Sequence, residues 1–528
     1  MRNRKWISML ALLLTVMLLV PAGSLAAATY DSEDITWKKN TTPATFSLFF
    51  NMSWAPFDVW GTDHVSQQVT KDTGITFEAS KAQDENQMAT IVATGELPDA
   101  FFVFGDKNID LLENEDVCWP WDELIEKYAP EFKDLIDPSE IAMATKEDGH
   151  FYTLYTHVRN QAYWDDPTKG VSYGEGVISF RDDIMQELGN PTIETVDDFY
   201  NVLKQVKEKH PDMIPYLQQK LNGDYLAWTF GIDYEGTKGM STVVDGNAIY
   251  TYSERTPVED YLTYENKLMR EGLMSQEGLT YDFEKTKAAV MAGNVFCYAG
   301  QAYDVDQINQ ALDTMDGNKL YYTAIRKQLT VNGENRCALT YASGGFAGFY
   351  ISKSCKDPAR LIALMEYMKS PYGDRLTQWG VEGLDYELKD GYPLQFDTYT
   401  WKERGDNVWY FQATFEAENQ KAIAKAAVNP KYGQVAQLVL DYKPYWSYDV
   451  ALAMISNAEA NTQMGDIKAA IDSLKENSFT AAITAKTEEE CKTVIDTYFA
   501  DLDKAGLADY NKFVNDQYQT VKAKLAQQ

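Results

Sequence analysis

Short apolar runs separated by amphipathic helices occur in two rounds along this chain, and that alternation constrains its fold more than any other feature. In the first round "TFSLFF" (residues 45–50) reads as a buried strand and "HVSQQVTKDTG" as a helix ended by Gly74. "ITFEAS" is a second strand. "ENQMATIVATGELPD" is a helix with Met88, Ile91 and Val92 at helical spacing, and Gly95 and Pro98 stop it before the strand "AFFVF". Strand, helix, strand, helix, strand predicts the start of a parallel α/β sheet.

The pattern restarts after residue 155 with the strand "VISF", the helix "RDDIMQELG" ending at Gly189, and a helix opened by a weak Thr195–Asp198 capping box. That last helix carries Phe199, Leu203 and Val206 on one face. "GNVFCYAG" and "GGFAGFYIS" read as further short strands, and about the last sixty residues are helical, with a Thr487–Glu490 capping box and a stop at Gly506. The expected architecture is α/β, two lobes with a helical C-terminal segment and no internal repeat.

The N-terminus is expected to leave the fold. Arg2, Arg4 and Lys5 precede the apolar stretch "WISMLALLLTVMLLV", and "PAGSLAAA" offers small residues for cleavage, the layout of a secretion signal. The apolar core is shorter than the roughly 20 residues of a membrane span. The whole chain carries a net charge of −31, and loss of the signal removes three basic residues, leaving −34. Such a charge disfavours nucleic acid and anionic lipid as partners.

Motifs exclude much of catalysis. No GxSxG, P-loop or helix-opening GxGxxG is present, and His64, His150, His157 and His210 are scattered without metal-ligand spacing. Cys118, Cys297, Cys337, Cys355 and Cys491 form no framework; one bridge or buried free thiols both fit. "DTMDGN" (residues 313–318) lacks EF-hand spacing and reads as a plain turn, so structural calcium has no support and no cofactor is expected. With 79 acidic residues, a glycosidase carboxylate pair is neither identified nor excluded.

Aromatic content is informative: 12 Trp and 34 Tyr, many beside Gly, Asp or Asn. Trp54, Trp60, Trp164, Trp228, Trp379, Trp409 and Trp446 all lie in such settings. Each alone fits ordinary packing; as a set they favour a carbohydrate cleft, because an indole offers an apolar face to a sugar ring and an N–H to its hydroxyls.

Several longer stretches carry a family resemblance. "ATGELPDAFF", "WPWDELIEKYAPEF", "ISFRDDIMQELGNPTIETVDDFYNVLKQVKEKHPD" and "GFYISKSCKDPARLIALMEYMKSPYGDRLTQWGVEGLDYEL", in this order and with the helical C-terminus, resemble extracellular solute-binding proteins of family 1. These are the sugar-binding components of ABC transporters, and the likeness is to their large LplA-like branch. The resemblance implies a two-lobe periplasmic-binding-protein-like fold (type II) with the ligand held in a closing cleft. Residues 1–28 are then signal peptide and 29–44 a flexible leader. Residues 45–155 and about 340–395 form lobe 1, and about 156–339 and 396–528 form lobe 2.

By similarity to maltose-type relatives, the strand after "LPD" delivers Asp106 to sugar hydroxyls, "YAGQAY" makes Tyr303 a stacking candidate, and "YWSYDVALAM" does the same for Trp446. Trp54 and Trp379 are placed by position, and Trp164, Trp228 and Trp409 more loosely; Asn51, at the end of the first strand, completes the ligand-binding set. One departure is that "AGSLAAA" holds no lipobox cysteine, the first cysteine being Cys118.

The expected function is that of an exported, monomeric, non-enzymatic substrate-binding protein. It captures an oligosaccharide or modified sugar between its lobes and delivers it to the permease subunits of an ABC transporter, its contact with the membrane running through that transporter. The alternatives are a secreted glycoside hydrolase or polysaccharide lyase, and a binding protein for a peptide or other non-sugar solute.

Overall fold

Burial of the apolar runs divides the chain between two four-stranded sheets. The structure, a computed structural model, describes residues 35–53, 55, 59–84, 86–104, 109–146, 148–158, 164–165, 176–218, 224–232, 241–281, 283–315, 317, 320–325, 327–337, 340–341, 345–389, 392–396, 406–413, 445, 447–455, 458 and 462–526. In chain order its strands are β1 (Ala44–Phe50), β2 (Ile75–Lys81), β3 (Ala100–Val103), β4 (Gly176–Arg181), β5 (Ile214–Gln218), β6 (Ser241–Val244) and β7 (Asn247–Tyr250). They continue with β8 (Val295–Gln301), β9 (Tyr322–Ala324), β10 (Thr340–Tyr341), β11 (Gly348–Ile351), β12 (Tyr386–Lys389), β13 (Tyr392–Gln395) and β14 (Ser447–Tyr448).

The first sheet has the order β11-β3-β1-β2, with β1 parallel to both β2 and β3 and β11 antiparallel to β3. Alternation along β1 sends Phe46, Leu48 and Phe50 into one core and Phe49 into another on the opposite face. The larger core is aromatic. The Phe411 ring stacks on Phe77 at 6.0 Å and meets Phe102 edge-on at 5.2 Å. Val408, Tyr410 and Phe411 thus belong to the first lobe, which corrects the expectation that everything from residue 396 lies in the second.

The leader is also corrected, from residue 35 onward. Ile35 is buried, and Trp37, in the short helix Thr36–Lys39, sits edge-on to Tyr367 at 4.8 Å. The Arg360 guanidinium donates to the carbonyls of Thr42 and Thr73 at 3.0 and 2.6 Å, pinning the segment to the sheet. Gly74 permits this approach. It caps the helix His64–Thr73 with φ of 74°, and a Cβ there would lie 2.2 Å from the Thr41 carbonyl oxygen.

The second sheet has the order β5-β8-β4-β9, with β5 parallel to β8 and β4 antiparallel to both of its neighbours. The Thr195–Asp198 capping box is complete: Thr195 Oγ1 accepts the Asp198 N–H at 3.0 Å and the Asp198 carboxylate accepts the Thr195 N–H at 3.0 Å. The C-terminal helices Gln463–Ile483, Glu488–Ala505 and Leu507–Leu525 share this core. Phe479 meets Tyr252 edge-on at 5.3 Å, and Asn266 Nδ2 donates to the Ala482 carbonyl at 3.0 Å.

Among the described residues the two cores exchange the chain three times: between residues 158 and 176, between 331 and 347, and between 413 and 445. Three of these connecting stretches lie side by side. Thr156 N–H donates to Ala347 O at 2.9 Å and Phe346 N–H to Thr156 O at 2.7 Å, while His157 and Val158 donate to Gln412 O and Ala413 O at 2.9 and 3.1 Å. Gly345 makes the close approach possible. Its φ is 101°, and a Cβ would stand 2.3 Å from the Tyr155 Cβ.

Candidate functional site

Ligands of open α/β sheets collect beyond the carboxyl ends of the parallel strands. In the first lobe those ends are Phe50, Lys81 and Val103. Gly348, where the chain enters β11, lies opposite Val103, so the crossing stretch 345–347 runs along this same edge. In the second lobe Gly176, where the chain enters β4, lies opposite Gln301 at the carboxyl end of β8. Both sheets are therefore tied to their crossings at the edges where parallel α/β sheets bind ligands.

Four side chains define the first-lobe edge. The backbone N–H of Asn51 continues the ladder to Phe102 O at 3.2 Å. Its side chain adds a further rung, accepting the Phe104 N–H at 2.9 Å and donating to Phe104 O at 3.0 Å. Phe104, so held, is 40% exposed and stacks on Phe346 with centroids 4.4 Å apart and planes 21° apart. The His157 ring, buried and with φ of 56°, lies 5.5 Å from Phe346. A rigid, half-open pair of rings on the hinge side of the edge is the result. The other end of β3 is closed by structure alone: the Asp99 carboxylate accepts the Ser47 N–H and hydroxyl, each at 2.8 Å.

The second-lobe edge is anchored from behind. Gln218, the last residue of β5, is buried; its side-chain oxygen accepts the Tyr216 hydroxyl at 2.9 Å and its Nε2 donates to Glu265 at 3.5 Å. Burial pushes the Glu265 carboxyl up to about 8, outweighing the hydrogen bonds from Gln218 and Tyr261 that favour its ionised form. Burial thus favours the protonated carboxyl at pH 7.

No protein-family model matches the chain. In sequence it is 26% identical over 318 residues to lipoprotein LipO of Bacillus subtilis (strain 168), an overlap of 57% of this chain and 59% of that protein. The chain thus spans less than two thirds of that relative's length. In structure it resembles the S. pneumoniae ABC-transporter substrate binding protein FusA in complex with kestose, with a TM-score of 0.67 and 19% identity over 91% of this chain and 100% of that one. An HMO-binding, ABC-transporter-associated solute binding protein from Bifidobacterium longum infantis gives a TM-score of 0.65 and 16% identity over 90% of this chain and 98% of that one. The chain has the two-lobe solute-binding-protein fold.

Within the solute-binding fold the candidate ligand residues fall in different places. Asn51 stands at the edge, where its side chain positions Phe104. Tyr303 is the second residue of the helix Ala302–Asp313, directly after the carboxyl end of β8, and Trp409 lies in the 3-10 turn Asp406–Phe411; the side chains of both fall outside the described residues. Trp164 is half-buried and stacks on Tyr448 of β14 at 5.8 Å, beside the β10–β14 pair.

Two candidates are corrected. Trp228, in the helix Asp224–Thr229, is 1% exposed in the second core, and Trp379 is 4% exposed and packs on Tyr386 at 6.2 Å; neither has a ring face to offer a ligand. Trp54, Asp106 and Trp446 lie outside the described residues. Sequence reading missed Phe104 and Phe346, although both sit in motifs it singled out, "AFFVF" and "GGFAGFYIS". Attention to tryptophan and tyrosine passed over phenylalanine, which stacks on an apolar surface equally well.

Among the described residues no group of three or more His, Cys, Asp or Glu side chains could hold a metal ion, and no helix is long and apolar enough to cross a membrane. Cys118, Cys297, Cys355 and Cys491 are buried free thiols.

Proposed function

We propose that this protein is the capture subunit of an ABC transporter: it belongs with the extracellular sugar-binding proteins, takes up an oligosaccharide or modified sugar between its lobes, and passes it to a membrane permease without chemical change. The single observation that carries the reading is the exposed Phe104–Phe346 stack, held by Asn51, at the carboxyl edge where the crossing stretches join the first sheet. A sugar ring laid on Phe104 buries its apolar face, and the second-lobe edge at Gln218 and Gln301 completes the enclosure on closure. Contacts to both lobes are required, because only a ligand that prefers the closed form shifts the equilibrium toward it.

The neighbours support a saccharide cargo: one was solved with kestose and another is described as HMO binding. The relative from Bacillus subtilis is named a lipoprotein. In this chain the first cysteine, Cys118, is wholly buried in the first lobe and is not available for acylation.

Thermal unfolding of the protein against a panel of neutral and acidic oligosaccharides and short peptides, with product masses recorded, tests the reading. Saccharide at about 100 times its Kd adds roughly 2.7 kcal/mol to the native state. A rise in Tm with one class and unchanged masses is expected. Cleavage, or a rise only with peptides, overturns it.

A further inference from the structure

A cavity of about 720 Å³ opens along β2, next to the edge described above. β2 is the outermost strand of its sheet, and among the described residues nothing pairs with its second edge. Because β2 runs parallel to β1, with Lys81 opposite Phe50, the stretch Lys81–Gln83 stands at the same carboxyl edge as Asn51. The cavity thus begins at the cleft rim and follows the open strand outward past Ser80 and Glu78.

Size and lining both suit a small polyhydroxylated ligand. The volume falls within the roughly 300–1,000 Å³ of small-molecule sites. Val59, 66% exposed, supplies apolar surface above Trp60, which is buried and fixed by donation from its Nε1 to Thr70 Oγ1 at 2.8 Å. Ser53, Glu78 and Gln83 supply exposed donors and acceptors, and the unpaired backbone groups of β2 supply more. Its described charged side chains are Glu78 and Lys81, on opposite faces of β2, and the Lys81 ammonium is engaged by the Ala55 carbonyl. Among the described lining residues the charges sum to zero, which matches a neutral sugar and gives a polyanionic one no advantage.

We infer that this cavity is a second saccharide subsite, holding the outer residues of a neutral chain whose first residue sits in the cleft. The inference rests on the capture reading and adds a length preference: longer neutral oligosaccharides bind more tightly than disaccharides. The site's selectivity then lies along β2 as well as between the lobes.

Calorimetric titration of the full chain with malto-, cello- and fructo-oligosaccharide ladders, from disaccharide to hexasaccharide, tests this. In the ladder that binds, a tetrasaccharide is expected to bind about tenfold or more tightly than the disaccharide, the worth of one good ring contact. Ser80→Trp fills the cavity from an exposed position and is expected to abolish that gain while leaving disaccharide affinity within about twofold. Gln83→Ala is expected to reduce the gain without any change in bulk, and it serves as the second variant should Ser80→Trp disturb folding. Equal affinities along the ladder, or a gain that survives both substitutions, overturn the subsite and leave the capture reading standing. Failure of every ladder to bind at any length overturns the subsite for a neutral chain, while the capture reading stands or falls by the thermal-unfolding panel.

Discussion

The side-chain amide of Asn51 pairs with both backbone groups of Phe104, donating to its carbonyl at 3.0 Å and accepting its N–H at 2.9 Å. One side chain thereby extends the β1–β3 ladder past its last residue and sets the position of an exposed ring. Asn51→Ala removes both bonds and is expected to cost about 1–3 kcal/mol of stability. Asn51→Asp keeps the acceptor but turns a carboxylate toward a carbonyl oxygen, so it is expected to be no better. Urea unfolding gives the cost, and a titration with the saccharide found by thermal shift is expected to show weakened binding in both variants.

Phe104 and Phe346 are expected to divide their effects. Phe104 is the more exposed ring, so Phe104→Ala is expected to change Tm little and to weaken saccharide binding by about tenfold, in line with the loss of roughly 1.4 kcal/mol of ring contact. Phe104→Tyr keeps the face and restores most of the affinity. Calorimetry of the three proteins at one temperature separates a stacking role from a structural one, since a structural role is not rescued selectively in binding.

Trp228 and Trp379 are expected to act in the opposite sense. Trp228→Ala opens a void in the second core and costs about 3–5 kcal/mol. Trp379→Phe keeps most of the packing on Tyr386 and is expected to leave saccharide affinity unchanged in the folded protein. A selective loss of affinity in Trp379→Phe, with Tm intact, contradicts the burial seen in the structure.

Much of the architecture is written in local patterns. Gly74, Gly95 and Gly506 end helices in the left-handed conformation, as their positions after the periodic residues predict, and Thr195 with Asp198 closes a full capping box. What local pattern does not carry is which way a short segment faces. Trp228 sits in a helix of six residues, too short for periodicity to distinguish an inward ring from an outward one. The docking of residues 406–411 onto β1–β3 and the Phe104–Phe346 stack both join segments far apart in sequence, and no spacing rule reports such contacts. Trp37 against Tyr367 is the same case: a polar, turn-rich stretch becomes ordered because one aromatic ring finds a distant partner.

Glu265 makes stability depend on pH. Its carboxyl, up at about 8 in the folded protein, ionises near 4.5 when exposed. Between those values the native state keeps a proton that the unfolded chain has released, so stability falls as pH rises from about 5 to 8, each pKa unit being worth about 1.4 kcal/mol at most. Glu265→Gln preserves shape and removes the titration. Melting curves across that range are expected to show the variant gaining on the parent as pH rises; parallel curves contradict the assignment.

Gly345 is the tightest point of the crossing strands. Gly345→Ala places a Cβ within 2.3 Å of the Tyr155 Cβ at a φ of 101°, and the strain is expected to cost about 1–3 kcal/mol or more. Because the strand pairing at Thr156 and Ala347 shifts with it, the variant is expected to lose saccharide affinity together with Tm. Unchanged affinity at lowered Tm separates stability from hinge geometry.

Small-angle X-ray scattering during a saccharide titration tests the central claim most directly. Capture between two lobes requires the radius of gyration to fall as the site fills, with saturation at one saccharide per chain and the recovered sugar unchanged in mass. Binding without compaction, or release of a cleaved product, contradicts it.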